Sequence, residues 1–252
     1  MRRFLGKLSV FAIVQVLIVL ALRLHDPGAH VQYEAATIDK HRHADSITGP
    51  RIFFVGGSNV ALGVDSPKIH QATEYTPVNL ALNSTVGLDF MLNEASDVAR
   101  AGDVVVLSPE FEHFWRDLTA ENALLVVEAR PESINYINPS ATKKLLDQAL
   151  VAVRNIIRRA VRGRKRPRNS RSSFNEYGDF VGHHDRPSVY RGEPDGVHSV
   201  PNDTRFVHKV IDKLNNFQRD CRRRDICVVF SMTLCTKRVS FGTEWTPSGS
   251  PR

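Results

Sequence analysis

The chain has 252 residues, 42% of them apolar, and a formal net charge of +7. That much apolar material supports one sizeable core and excludes a globally disordered chain. Cys221, Cys227 and Cys235 are odd in number and have no metal-ligand spacing, which argues against both a disulfide framework and a cysteine-held metal.

At the N-terminus, Leu8 to Leu22 runs without a charge, and Arg2, Arg3 and Lys7 precede it. A spanning helix needs about 20 apolar residues, and the ends of Lys7 and Arg23 can snorkel to extend this shorter run. The expectation is a cytoplasmic flank (1–7) and a single transmembrane anchor (8–24) in the inner membrane. The basic flank holds the N-terminus in the cytoplasm and puts the main domain on the periplasmic side. A cleaved signal peptide is the rival, although Arg23-Leu24-His25-Asp26 follows where a small-x-small site would stand. Residues 25–50 read as a stalk with one short helix over Tyr33 to His43.

From residue 51 a regular alternation begins. Arg51 to Val55 reads as a buried strand that ends in Gly56-Gly57. Ser66 to Tyr75 reads as a helix with Ser66 as N-cap and Pro67 at its first position. Pro77 to Ala81 is a second strand, and Leu88 to Ala101 an amphipathic helix closed by Gly102. Asp103 to Ser108 is a third strand. Helices are expected over Thr119 to Ala129, Ala141 to Val161 and Asp203 to Arg223, the last with Phe206, Val210, Leu214 and Phe217 on one stripe. Ile226 to Ser231 completes the pattern as a fourth parallel strand. Strands alternating with helices mean parallel pairing with helical crossovers. The positive charge gathers in an Arg-rich insertion between Arg154 and Arg171. No aromatic residues interleave with it, so a solvated helix end is favoured over a nucleic-acid surface, and no nucleic-acid partner is expected. Residues 232–252 form an atypical tail without a covering helix, either ragged by nature or the mark of a truncated or frame-shifted chain.

In a parallel sheet, ligands bind beyond the C-terminal strand ends. There Gly56-Gly57 allow a sharp turn that leaves Ser58 exposed, Asn59 can orient the turn, and Asn83, Ser84 and Gly87 follow the second strand. The glycines lack dinucleotide-fingerprint spacing, and no Lys follows them as in a phosphate loop. A plain strand-to-helix turn capped by Ser58 is the alternative.

FFVGGSNVALGVDS, followed by VNLAL, Gly87 and VVVLSPEFEHF, resembles the first half of an SGNH (GDSL-like) hydrolase, in particular the membrane-anchored bacterial members that act on cell-surface polymers. The resemblance covers roughly residues 51–231. It implies an α/β three-layer sandwich with a mostly parallel, flavodoxin-like sheet, preceded by one N-terminal transmembrane helix. It implies Ser58 as nucleophile, with Gly57 where the family has Asp, and Gly87 or Ser84 as oxyanion donor. Ser108-Pro109-Glu110 stands where the family has an Asn donor. FNEYGDFVGH (Phe174 to His183) resembles a segment of the anchored relatives to which no role is assigned. The family's Asp-x-x-His block has one match, Asp195-Gly-Val-His198, which precedes the fourth strand instead of following it. His183 and His184, with Asp179 or Asp185, and His113 are the other base candidates.

Two functions follow as expectations. One is a membrane-anchored extracytoplasmic serine esterase or O-acyltransferase acting on an acyl-bearing polysaccharide of the cell envelope or a secreted one. It needs no metal and no cofactor, and its base is His198 or was lost with a missing C-terminus. The other is a non-catalytic anchored component of a polysaccharide export or modification system.

Overall fold

The computed structural model describes residues 30–114, 122–141, 169–184 and 204–231, with a few scattered positions between 4 and 15. Four parallel strands form one sheet in the order β2-β1-β3-β4: β1 (Arg51–Gly56), β2 (Thr76–Asn79), β3 (Val104–Ser108) and β4 (Cys227–Phe230). The helices are α1 (Ala36–Ser46), α2 (Ser58–Gly63), α3 (Ser66–Ala72), α4 (Leu88–Val98), α5 (Ala123–Ala129) and α6 (Thr204–Arg223). The chain is therefore an α/β protein with a parallel sheet, as the alternating pattern requires.

Strand residues alternate between two apolar clusters, because successive side chains of a strand point to opposite faces. Phe53, Val55, Val78, Val105 and Leu107 join the larger cluster, with Met91, Leu92 and Ala95 of α4 and Val210, Leu214, Phe217 and Cys221 of α6. Phe54 faces the other way and packs with Val60 and Ala61 of α2, backed by Ile52, Ile69 and Val106. Every turn of α6 thus gives the core an apolar residue, which is why its stripe was readable.

Several boundaries shift for local reasons. Asp65, not Ser66, caps α3: its carboxylate accepts from Lys68 N at 3.3 Å, while Ser66 is the first helical residue and is buried. The helix stops at Ala72 because Thr76 already pairs with Arg51. Similarly, α4 ends at Val98, where Ala99 turns extended. Gly102 (φ 85°) belongs to the turn beyond, where its amide donates to Asp225 O at 2.8 Å.

The expected stalk contributes to the domain itself. Ala35, Ala36, Thr37, Lys40, His41 and Ala44 are buried. His41 Nε2 meets Glu94 Oε1 on α4 at 2.9 Å, with both side chains about 5% exposed. Arg51 ties the same region together beneath the sheet. Its guanidinium donates to Asp103 Oδ2 (2.6 Å), Ala44 O (3.0 Å) and Val98 O (2.9 Å). The helix itself was expected; the polar-looking sequence hid its packing into the domain, because its buried face carries charged and polar groups that find partners, as buried charges must.

Among the described residues no helix is long and apolar enough to cross a membrane. The expected anchor 8–24 lies almost wholly outside them. So do the helix expected over 141–161, most of the Arg-rich insertion, the pair Asp195 and His198, and the tail 232–252.

Candidate functional site

The strand order reverses between β1 and β3: β2 lies on one side of β1, while β3 and β4 lie on the other. Loops leaving two such strands diverge, and the crevice between them is the usual ligand position in an open parallel sheet. Gly56 pairs with Ser108 at the last rung. Immediately beyond it, Ser58 leaves β1 and Glu110 leaves β3.

The two meet. Ser58 Oγ donates to Glu110 Oε1 at 3.2 Å, and Asn59 N donates to the same oxygen at 3.2 Å. Ser58 is exposed and Glu110 half-buried. The helix starts at once, because Val60 N and Ala61 N both turn back to Gly57 O, at 3.2 and 3.1 Å. Both glycines allow close approach of chain segments. A Cβ on Gly56 would lie 2.6 Å from Ser108 O; one on Gly57 would fall onto the Glu110 carboxylate and 2.9 Å from Ser84 N.

The loop after β2 closes the third side. Asn83 Oδ1 accepts from Thr85 N (3.0 Å) and Thr85 Oγ1 (2.8 Å), which shapes the turn Ser84–Val86. Gly87, at φ 90°, begins α4, and its amide donates to Ser84 O at 3.0 Å. The amide expected to serve an oxyanion is therefore engaged inside its own turn. His113 sits between the two loops, 2% exposed, with Nε2 at 3.1 Å from Ser84 O and Nδ1 at 3.2 Å from Glu110 O. It pins the Ser84 loop to the Glu110 loop through backbone carbonyls and meets Ser58 only through those loops.

His183 and His184 stand elsewhere. His183 stacks on Phe180, and His184 lines a cavity of about 250 Å³ with Leu62, Gly63 and Asp65. That is the far end of α2 from Ser58. A second cavity, of about 340 Å³ and lined by Gly102, Asp103, Asp225 and Cys227, opens at the N-terminal end of β3 and β4, away from the Ser58–Glu110 pair. Among the described residues, no three His, Cys, Asp or Glu side chains stand together as metal ligands would.

The FNEYGDFVGH segment acts as a strap beneath the site. Asp179, 2% exposed, accepts from Ser66 N (2.9 Å), Ser66 Oγ (2.8 Å) and Asn79 Nδ2 (2.8 Å). Phe180 N donates to Ala61 O at 2.7 Å, and Asn79 Nδ2 to Val60 O at 3.2 Å, so the strap holds the helix that carries Ser58. Gly178 is required there: it has φ 92°, and a Cβ would meet Asn79 O at 2.5 Å. Lys40 of α1 secures the arrangement from within. Its Nζ donates to Asn79 O (2.8 Å), Ala81 O (2.8 Å) and Gly178 O (2.6 Å), and lies 4.5 Å from the centre of the Phe174 ring. Burial pushes the Lys40 ammonium down to about 7, against the opposing pull of Glu94 and Asp179. Burial also raises the Tyr33 phenol well above its ordinary value, with Glu34 and Glu110 adding to the rise; its hydroxyl donates to Leu82 O at 2.9 Å.

The structure thus brings Gly57, Ser58, Asn59, Ser84 and Gly87 to one sheet edge and adds Glu110, which sequence reasoning did not select. The signal was present: Glu110 follows the third strand, where a polar donor was sought and a carboxylate stood instead. Compared with family models, with curated proteins and with solved structures, the chain finds no match.

Proposed function

We propose that this chain is a membrane-anchored serine esterase or O-acyltransferase of the SGNH type, with Ser58 as its nucleophile. One observation carries the reading. Ser58 presents an exposed hydroxyl directly after the central strand, at the point where the strand order reverses. The two apolar clusters, one on each sheet face, support the three-layer flavodoxin-like arrangement. The main-chain amide of Ser58, the first of α2, has no acceptor within the helix and is the nearest donor for an oxyanion. Gly57, Asn59, Ser84 and Gly87 shape the walls around it. Asp195 and His198, outside the described residues, are the carboxylate and imidazole that the family resemblance offers as orienting group and base.

Val10, Phe11 and Val14 are exposed, which supports the reading of 8–24 as an anchor in a single-pass inner-membrane protein with a periplasmic domain. An anchored domain acts on what lies beside the membrane, so the substrate class is an ester on an envelope or secreted polysaccharide. The test is covalent labelling of the full chain with a fluorophosphonate. Wild type should label and Ser58→Ala should not; equal labelling of both removes Ser58 as nucleophile.

One observation favours a second reading, a non-catalytic anchored component that binds an acidic glycan. The Gly87 amide is spent on Ser84 O, not held open for an oxyanion. That reading expects binding that weakens steeply with salt and survives Ser58→Ala.

A further inference from the structure

We infer that Glu110 is the proton acceptor of Ser58, and that Gly57 is glycine in order to seat its carboxylate. The inference rests on the reading of Ser58 as nucleophile and adds the group that activates it. A serine hydroxyl needs an adjacent base to attack at neutral pH, and a candidate base must lie within hydrogen-bond reach of the proton. Among the described residues the group that receives the Ser58 hydroxyl is the Glu110 carboxylate, at 3.2 Å. The three described histidines that the sequence offered as bases are differently engaged: His113 with the Ser84 and Glu110 carbonyls, His183 against Phe180, and His184 at the far end of α2.

The seat is built from two chain segments, the loops after β1 and β3. Asn59 N donates to the carboxylate oxygen that faces Ser58, and so fixes it. Backbone supplies the rest: Glu110 O holds His113 N at 3.0 Å, which fixes the main chain that carries the carboxylate. Any side chain at position 57 would place its Cβ on that carboxylate. Glycine at 57 and glutamate at 110 are therefore one feature, although they lie on different strands' loops.

The chemistry balances with these groups and water alone. The Ser58 O–H bond breaks and its proton passes to Glu110 Oε1. The freed electron pair forms the bond from Oγ to the ester carbonyl carbon, whose π pair moves onto its oxygen. On collapse the ester C–O bond breaks, and the departing alkoxide takes the proton back from Glu110. Water, or a second hydroxyl, then gives a proton to Glu110 and attacks the acyl group. Ser58 Oγ leaves with that proton, so ester and water yield acid and alcohol.

Glu110→Gln is the decisive variant, because the amide keeps an oxygen for Asn59 N–H and Ser58 but cannot take a proton. Fluorophosphonate labelling of the full chain should slow by about 100-fold or more, with an unchanged thermal midpoint. Gly57→Ala should slow labelling in the wild type and add little in the Glu110→Gln background, since both remove the same contact. If Glu110→Gln labels at the wild-type rate while Ser58→Ala does not label, Glu110 is not the base and the nucleophile reading survives. If Gly57→Ala slows both backgrounds equally, the link between the two residues is wrong. If Ser58→Ala labels normally, the nucleophile reading fails, and this inference with it.

Discussion

Two polar clusters, one around Lys40 and Asp179 and one around Ser58 and Glu110, are built in opposite ways. Around Lys40 and Asp179 the groups are buried and fully bonded: one ammonium meets three carbonyls, and one carboxylate meets Ser66 twice and Asn79 and Asn175 once each. Around Ser58 and Glu110 the groups face solvent, and the bonds are single and long, at 3.2 Å. Burying charges is tolerated only where every lone pair and proton finds a partner. The first cluster meets that condition and holds the chain in place. The second leaves capacity unused at a surface, which is the disposition of a group that must exchange partners with a substrate. The strap and the site are joined mechanically, since α2 is bonded by the strap at Ala61 O and by Asn79, which the strap holds, at Val60 O, both within one turn of Ser58.

The largest break in this contrast is Asp179→Ala. It leaves Ser66 N–H, the Ser66 hydroxyl and the Asn79 amide without their buried acceptor, and removes one of the charges that favour the Lys40 ammonium. A loss of about 3 kcal/mol is expected in urea unfolding. Because α2 is hung on the same strap, labelling of Ser58 should fall as well, though Asp179 touches no reacting atom. A stability loss no larger than that of a surface substitution would show that the strap does not bear on the fold.

Much of this was readable in advance, and the exceptions share a cause. The strands at Arg51 and Val104 announce themselves by continuous apolar runs, because a central parallel strand is covered on both faces, and the run at Cys227 reads the same way although Cys227, Val229 and Phe230 are exposed. α6 announces itself by the spacing of Phe206, Val210, Leu214 and Phe217, and the structure extends that stripe to Cys221. Ser58 was legible from Gly56-Gly57 before it. What sequence could not show was pairing at a distance. Lys40 and His41 look like surface residues until Asn79, Gly178 and Glu94 are brought to them. Glu110 looks like a missing donor until Ser58 and Gly57 stand beside it. His113 looks like a base candidate until both of its nitrogens are found against carbonyls. In each case the residue's type was known and its partner, dozens of positions away, was not.

The next effect is smaller and depends on pH. The Lys40 ammonium is pushed down to about 7 by burial, while the unfolded chain keeps its lysine protonated up to the ordinary value of 10.5. Between those limits the unfolded state binds more protons, so this residue makes stability rise with pH, by at most about 1.4 kcal/mol per unit. Below about 7 both states are protonated and the slope disappears. Lys40→Met, which fills the same space without titrating, should lose the rise. The check is the difference in urea midpoint between wild type and variant at pH 7 and pH 9. A difference that stays constant would mean that the three carbonyls hold the charged form throughout this range.

The smallest effect sharpens the contrast most. Ser58→Ala removes an exposed hydroxyl with one long bond to a half-buried carboxylate, so it should change stability by no more than about 0.5 kcal/mol in either direction. Removing Ser58 even stands to relieve the fold slightly, because the Glu110 carboxylate keeps Asn59 N–H and can turn to water. A group kept for structure costs stability when deleted, whereas one kept for chemistry does not. Parallel unfolding curves for wild type and Ser58→Ala, together with complete loss of labelling, would place Ser58 in the second class. A loss of 2 kcal/mol or so would place it with Asp179 instead, as a cap whose work is to start α2.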